Sequence, residues 1–379
     1  MKTESGPARH LAQAVLTIDL DAVVANWRLL AARAGPAECS AVVKADAYGT
    51  GIAHVAPALA KAGCRTFFVA HASEAMTLRK LLPEPAIRIY VLNGIANGSE
   101  TVDSLRAARV SPVLAGPEDF VLWQQGNSGS QTIGAALQFS TGMNRLGFAP
   151  KDAAALAASL AGKDSLRLDF VMSHFVASEI ADDPLNRLQV EAFESIRAHF
   201  PGVAASMANS SGIFLPHPAA YDLVRPGYAL YGGNPTPGAP NPMQRVVSLE
   251  APILQVRDVP AGETCGYNAT WQAKRPSRLA TIGIGYADGL LRAAAANSGK
   301  AGAVAMVGGL ACPYAGRVSM DLIIVDVTDA PINAVYRGAP VEILGDRISV
   351  DDLAAHAGTI GYEILTGLGP RYHRVYRQT

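Results

Sequence analysis

From about residue 38 to residue 225, short apolar and β-branched runs alternate with alanine-rich stretches of helical period. No other feature limits the fold as strongly, because this alternation is the signature of repeated βα units around a parallel sheet. The strand candidates are Ala41 to Ala45, Thr66 to Ala70, Ile87 to Leu92, Val110 to Leu114, Ile133 to Phe139, Leu168 to Ser173, Val203 to Met207 and Leu223 to Arg225. Eight units over about two hundred residues suit a closed (βα)8 barrel of the TIM type. An open doubly wound sheet usually has fewer strands. The segment GGNPTPGAPNP, Gly232 to Pro242, then packs proline and glycine too densely for a helix or a ladder to continue, and reads as a linker.

Beyond the linker, VVSLEAPILQV, LATIGIGY, AVAMVG, DLIIVDVT and APVEILG are strand-like, and the one convincing helix lies near Val350 to Ala357. The expected architecture is therefore α/β: a flexible N-terminus over 1–13, a (βα)8 barrel over 14–242 and a smaller, mainly-β C-terminal domain over 243–379. The early run AVLTIDL, Ala14 to Leu20, is also strand-like and precedes the barrel units, so it can pair into the distant β domain.

Lysine plus arginine equals aspartate plus glutamate at 32 each, so no global field draws the chain to nucleic acid or anionic lipid. A small-molecule substrate fits better. The four cysteines, Cys39, Cys64, Cys265 and Cys312, form no CxxC pair and are too sparse to staple a chain of this size. They read as reduced thiols of a cytoplasmic protein. The opening MKTESGPARHLA has no apolar core of signal-peptide length, and no later run approaches a membrane span. Nothing suggests a metal site.

In a barrel of this kind the chemistry sits where strands end on the carboxyl face. AVVKADAYGTG, Ala41 to Gly51, places the lone Lys44 at the end of an apolar strand, followed by Tyr48 and two glycines. A buried ammonium is costly unless neutralised or bonded, so Lys44 calls for a salt bridge or an imine. Tyr286 stands in YADG, where good turn chemistry offers the ordinary explanation of a packed aromatic. Arg225, in VRPGY, has an ordinary explanation in helix capping or in pairing with Asp222, and His174, in MSHF, in a satisfied structural histidine. Capping also explains Asn209 and Ser210, which open an apparent helix, and Arg145 in TGMNRLG reads on its own as a surface arginine after a turn.

Taken together, AVVKADAYGTG, TGMNRLG, MSHF, ANSSG, VRPGYALYG, GIGYADG and GRVSMD resemble, in order and along nearly the whole chain, the signatures of the alanine racemase family. That resemblance implies a (βα)8 barrel, pyridoxal 5′-phosphate bound as an imine on Lys44, alanine as substrate, and a cytoplasmic homodimer whose active sites borrow residues from the partner's β domain. It also implies D-alanine production for peptidoglycan. Racemisation removes the α-proton from one face and returns it to the other, so two bases are the simplest solution. By resemblance Lys44 acts on the D-isomer and Tyr286 on the L-isomer. Arg225 faces the pyridine nitrogen and His174 orients Arg225. Asn209, Tyr48, Ser210 and the N–H groups of Gly227 and Tyr228 serve the cofactor and its phosphate. Arg145 and the backbone N–H of Met320, with Asp321 beside it, hold the substrate carboxylate.

The sequence departs from the family at several places. Many members carry a carbamylated lysine where this chain has Gln138, and a neutral amide there holds Arg145 less firmly unless a small anion fills the gap. Ser319 stands where some relatives have cysteine, and Gly367 lies near the place of a second phosphate-binding tyrosine. Rival readings are a broad-specificity racemase, a related amino-acid decarboxylase and a non-catalytic pyridoxal-phosphate carrier. The retained GYADG and GRVSMD motifs weigh against the decarboxylase, and the β domain with Tyr286 weighs against the carrier.

Overall fold

A computed structural model describes residues 2–127, 133–160, 166–216 and 219–379. They form two compact units, one of residues 24–230 with 234–243, the other of residues 1–23, 231–233 and 244–379. Each unit has its own sheet system.

The first unit is a ring of parallel strands in the order Glu38–Cys39, Leu223–Val224, Ala204–Ser206, Leu168–Met172, Ala135–Gln138, Ser111–Leu114, Arg88–Val91, Thr66–Val69 and Ala41–Val42. The first and last members of that order are two halves of one strand, interrupted at Ser40. One half pairs with Leu223–Val224 and the other with Thr66–Val69, and this closes the barrel at eight positions. Ser40 Oγ seals the seam by donating to the Val224 carbonyl at 2.7 Å. Stacked Phe68 and Tyr90, with ring centroids 5.2 Å apart, and the edge of Phe170, 4.9 Å from Tyr90, pack together among the fully buried side chains of three of these strands. Most strands are shorter by one to three residues than the sequence suggests. Apolar character continues past the last ladder bond into the loops, which are themselves buried.

The helices show their causes plainly. In Pro184–Arg197, proline occupies the first turn, the Asp183 carboxylate accepts from Leu185 N at 2.9 Å, and Phe193 and Ile196 turn inward. The helix expected to open at Asn209 and Ser210 is only a single 3₁₀ turn, Ser211–Phe214. Residues 232–242 carry neither helix nor strand.

The second unit is built around the long strand Val247–Val259. Its first half pairs with Val15–Asp19 on one side and Pro340–Leu344 on the other, and its second half pairs with Ser277–Ile282. Bulges at Leu249/Glu250 and Ile253/Gln255 bend the strand between these partners. Val15–Asp19 also runs parallel to His373–Arg377. The N-terminal segment, expected to be flexible, instead forms the edge strand Lys2–Ser5, antiparallel to His373–Arg377. A second helix, Gly361–Thr366, follows Val350–Ala357, where only one helix was expected. Among the described residues no helix is long and apolar enough to cross a membrane.

One consequence for the site follows from register. Ile282 pairs with Ile323 in antiparallel strands, so the loop leaving the first strand and the loop entering the second lie side by side. These loops carry Tyr286 and Met320. Because Val15–Asp19 sits between two strands with Leu16 wholly buried, Leu16→Ala should destabilise the protein by about 2–5 kcal/mol. Urea unfolding followed by circular dichroism would check this, and a loss within error would show that the N-terminal strand is not integral to that sheet.

Candidate active site

Lys44 lies just past the end of Ala41–Val42 and opens an unusual segment. The sequence suggests that strand continues to Ala45. Instead Ala45, Asp46, Ala47 and Tyr48 all have φ between 52° and 54°, a left-handed run of four non-glycine residues. Left-handed backbone costs an L-residue roughly 1–2 kcal/mol, so specific bonds must enforce it. Glu74 Oε1 accepts from Ala45 N at 2.6 Å, while Asp46 Oδ1 accepts from Ile52 N at 2.7 Å. Gly49, itself at φ 77°, ends the run with N–H···O to Ala45 at 2.8 Å. The other Glu74 oxygen takes Ala70 N and His71 N, so one carboxylate both caps its own helix and pins the residue after Lys44.

The run delivers Tyr48 to Gly227. A Cβ on Gly227 would sit 2.3 Å from Tyr48 Oη, so only glycine permits this approach. Buried Ser210 stands on the loop after Ala204–Ser206, its Oγ accepting from Gly227 N at 3.1 Å and Ala229 N at 3.2 Å. Tyr48, Ser210 and Gly227 therefore gather a phenol, a hydroxyl and converging backbone N–H groups, the donor set suited to a phosphate. Tyr228 is buried at the start of the 3₁₀ turn Tyr228–Tyr231. Asn209 Oδ1 accepts from Gly212 N at 2.8 Å and Ser178 Oγ at 2.9 Å and so caps the Ser211–Phe214 turn.

Arg225 is 4% exposed and its hydrogen bonds go to neutral groups. Nη2 donates to Ser173 O at 2.7 Å and to Met207 O at 3.4 Å, and Nη1 to Ser206 Oγ. Asp222, the candidate ion-pair partner, is used elsewhere and accepts from Ala205 N at 2.8 Å. Burial pulls the guanidinium down to a pKa of about 9. The charges of Arg225, Arg145 and Lys44, after burial itself, push His174 down to about 3. Lys44 is lowered by burial and then by Arg145, with Glu74 opposing weakly. The barrel mouth thus gathers three cationic side chains, with the Lys44 pKa lowered and a histidine that is neutral near pH 7.

Arg145 lies on the exposed loop 141–147. Gln138 does not reach across to a guanidinium. Its Nε2 donates to the carbonyl of Leu146 at 3.2 Å, so it acts on the backbone beside Arg145. The loop is further tied by Gln189, a buried glutamine whose Nε2 donates to Thr141 Oγ1 at 3.0 Å and His174 O at 2.9 Å, while Oε1 accepts from Val176 N at 2.8 Å.

In the second unit, Tyr286 is 42% and Met320 53% exposed. Tyr286 N donates to Ser319 O at 3.0 Å and Ala287 N to Met320 O at 2.9 Å. Gly285 is required at this crossing, since a Cβ would meet Met320 O at 2.4 Å. Asp321 pairs with Arg371 at 2.8 Å.

Residues 18–235 match the family described as alanine racemase, N-terminal domain, and residues 246–376 match alanine racemase, C-terminal domain. The chain belongs to the alanine racemase family. It is 53% identical over 362 residues to an alanine racemase of Methylobacterium nodulans, with 95% of each chain covered. An alanine racemase structure from Bartonella henselae, with covalently bound pyridoxal phosphate, matches at TM-score 0.89 and 40% identity. It covers 97% of this chain and all of its own. The biosynthetic alanine racemase of Pseudomonas aeruginosa matches at TM-score 0.90 and 34% identity, with 97% and 100% covered.

Three supporting residues escaped the sequence reading of this family member. Glu74 had a visible signal as the fourth residue of the capping pattern His71-Ala-Ser-Glu74. Gln189 showed itself only as a polar residue on the buried side of an amphipathic helix. Arg371 had no local signal, because its partners lie 50 and 83 residues away.

The depressed His174 has a measurable consequence. Between its ordinary pKa of about 6.5 and its folded value of about 3, the unfolded chain binds a proton that the folded chain does not. Stability therefore falls as pH drops through that window. Histidine NMR on the free protein should show His174 neutral from pH 8 down to pH 5, and a midpoint near 6.5 would overturn the electrostatic picture of the pocket.

Proposed function

We propose that this chain interconverts L-alanine and D-alanine by a two-base reaction with pyridoxal phosphate held on Lys44. The observation that carries the reading is Arg225, a desolvated guanidinium whose hydrogen-bond partners are all neutral, close enough in charge to depress His174 in the pocket that also holds Lys44. A buried cation so placed suits an uncharged ring nitrogen as its acceptor. When bound, the cofactor withdraws electrons from the amino acid and so acidifies its α-proton.

The chain's own groups do the rest. Tyr48, Ser210 and the loop from Gly227 to Tyr228 hold the phosphate. Arg225 stays protonated at neutral pH and cannot pass its proton to the ring, which keeps electron withdrawal moderate and favours return of the proton to the same carbon. Arg145 takes the substrate carboxylate. Lys44 and Tyr286 work from opposite faces, and burial together with the charge of Arg145 shifts the Lys44 pKa downward, in the direction a base requires. His174, neutral, can bond without adding charge. Gln138 supplies only a neutral bond beside Arg145, so activity should not depend on dissolved carbon dioxide.

Tyr286 and Met320 are exposed on the second unit, and we infer that they complete the site of a second copy in a homodimer. The match over the second domain, residues 246–376, separates this reading from that of a carrier made of the barrel alone.

Borohydride treatment of the cofactor-loaded protein, followed by peptide mapping, should place the pyridoxyl group on Lys44, and Lys44→Ala should abolish both labelling and racemisation. A label on another lysine overturns the assignment. Tyr286→Phe should lower kcat/KM by about 10²–10⁴-fold. The loss must be equal for both enantiomers, because their free energies are equal.

Mixed and exchanged, the inactive Lys44→Ala and Tyr286→Phe chains should regain up to about a quarter of full activity, since half of the dimers are hybrid and one of their two sites holds both bases. No recovery after demonstrated exchange would place both bases on one chain.

A further inference from the structure

Besides its bonds to Ser319 and Met320, the Tyr286 turn is held by residues 367–372. The carbonyl of Gly367 approaches Gly289 so closely that a Cβ there would lie 2.0 Å from it. Gly369 N donates to Asp288 O at 3.1 Å, and the Tyr372 hydroxyl donates to the same carbonyl. Arg371 grips the Asp288 carboxylate with two donors, Nε at 2.6 Å and Nη2 at 2.9 Å. Asp288 in turn closes the turn by accepting from Gly285 N at 2.9 Å. The remaining Arg371 terminal nitrogen, Nη1, reaches Asp321 at 2.8 Å, the residue after Met320.

Two properties set this cluster apart among the described arginine–carboxylate pairs. The Asp288 side chain is only 8% exposed, so removing its partner leaves a nearly buried carboxylate uncompensated. One planar guanidinium also spans two loops, a geometry that the single ammonium of lysine cannot reproduce.

We propose that Arg371 is a positioning residue for racemisation, clamping the Tyr286 turn and the Met320–Asp321 segment into one rigid element so that phenol and main chain meet the substrate at a fixed separation. This rests on the reading in which Tyr286 is a base. Arg371 touches neither substrate nor cofactor and acts through Asp288 and Asp321. The arm to Asp288 governs Tyr286 and therefore kcat. The arm to Asp321 governs the Met320 main chain and therefore the KM for alanine.

The test uses the cofactor-loaded, full-length protein. Amide hydrogen exchange and steady-state racemisation are compared in wild type, Arg371→Met, Arg371→Lys and Asp321→Asn, with Arg275→Met as the control for loss of an exposed ion pair in the same unit. Arg371→Met should speed exchange of the Tyr286 and Ala287 amides by at least about tenfold. It should lower kcat/KM by about a hundredfold, while the pyridoxyl label on Lys44 is unchanged. Arg371→Lys should recover only part of both losses, Asp321→Asn should raise KM more than it lowers kcat, and Arg275→Met should behave as wild type.

In the Tyr286→Phe background, Arg371→Met should cost much less than it does alone, because contacting partners are not additive. Exchange and kcat/KM within about twofold of wild type in Arg371→Met, or full additivity with Tyr286→Phe, overturn the proposal. If Arg371→Met does not fold, the lysine and asparagine variants decide on the same readouts. Should Tyr286→Phe prove fully active, the assignment of the base fails, while the exchange rates still decide whether Arg371 fixes the turn.

Discussion

A guanidinium without a counter-charge governs the barrel site. Arg225 is buried among two carbonyls and a serine hydroxyl, and its field reaches the neighbouring titratable groups. Desolvation strengthens every such interaction, because water no longer screens it. Burial first, and then this field, keep His174 neutral, and a carboxylate at the site of any of the three acceptors would cancel the field. With Asp222 employed on the Ala205 amide, the pocket keeps its positive potential, which suits a ligand bringing a phosphate and a carboxylate.

Backbone geometry is the second constraint. Four left-handed residues after Lys44 are unfavourable in isolation and exist because Glu74, Asp46 and Gly49 supply the bonds that hold them. The strain has a purpose in the packing. It turns the chain sharply enough to bring Tyr48 against Gly227 within a few residues of the lysine. An ordinary strand-to-helix loop would send the tyrosine elsewhere.

In the second unit the equivalent organising device is strand register. Ser277–Ile282 and Ile323–Asp326 pair so that their loops lie together, and Arg371 from the C-terminal segment then locks them. Precision at Tyr286 thus comes from three stretches of chain far apart in sequence.

The alternation of apolar runs and helical stretches was enough to read the barrel, because the period of hydrophobic residues reports directly on which backbone can bury them. The lone lysine in an apolar strand drew notice by itself, because a buried ammonium is costly without a partner, while the roles of the other site residues came from the resemblance of their motifs to the family. Other features were invisible in the sequence. The splitting of the first strand at Ser40, the Glu74 bond that holds the left-handed run and the Arg371 clamp all depend on partners distant in the chain. Sequence determined which residue types are available and which faces must be buried, because these follow from local periodicity and solvation. Tertiary structure alone decided which hydrogen-bonding groups meet, because directional bonds between remote segments depend on register and closure, which local composition does not encode.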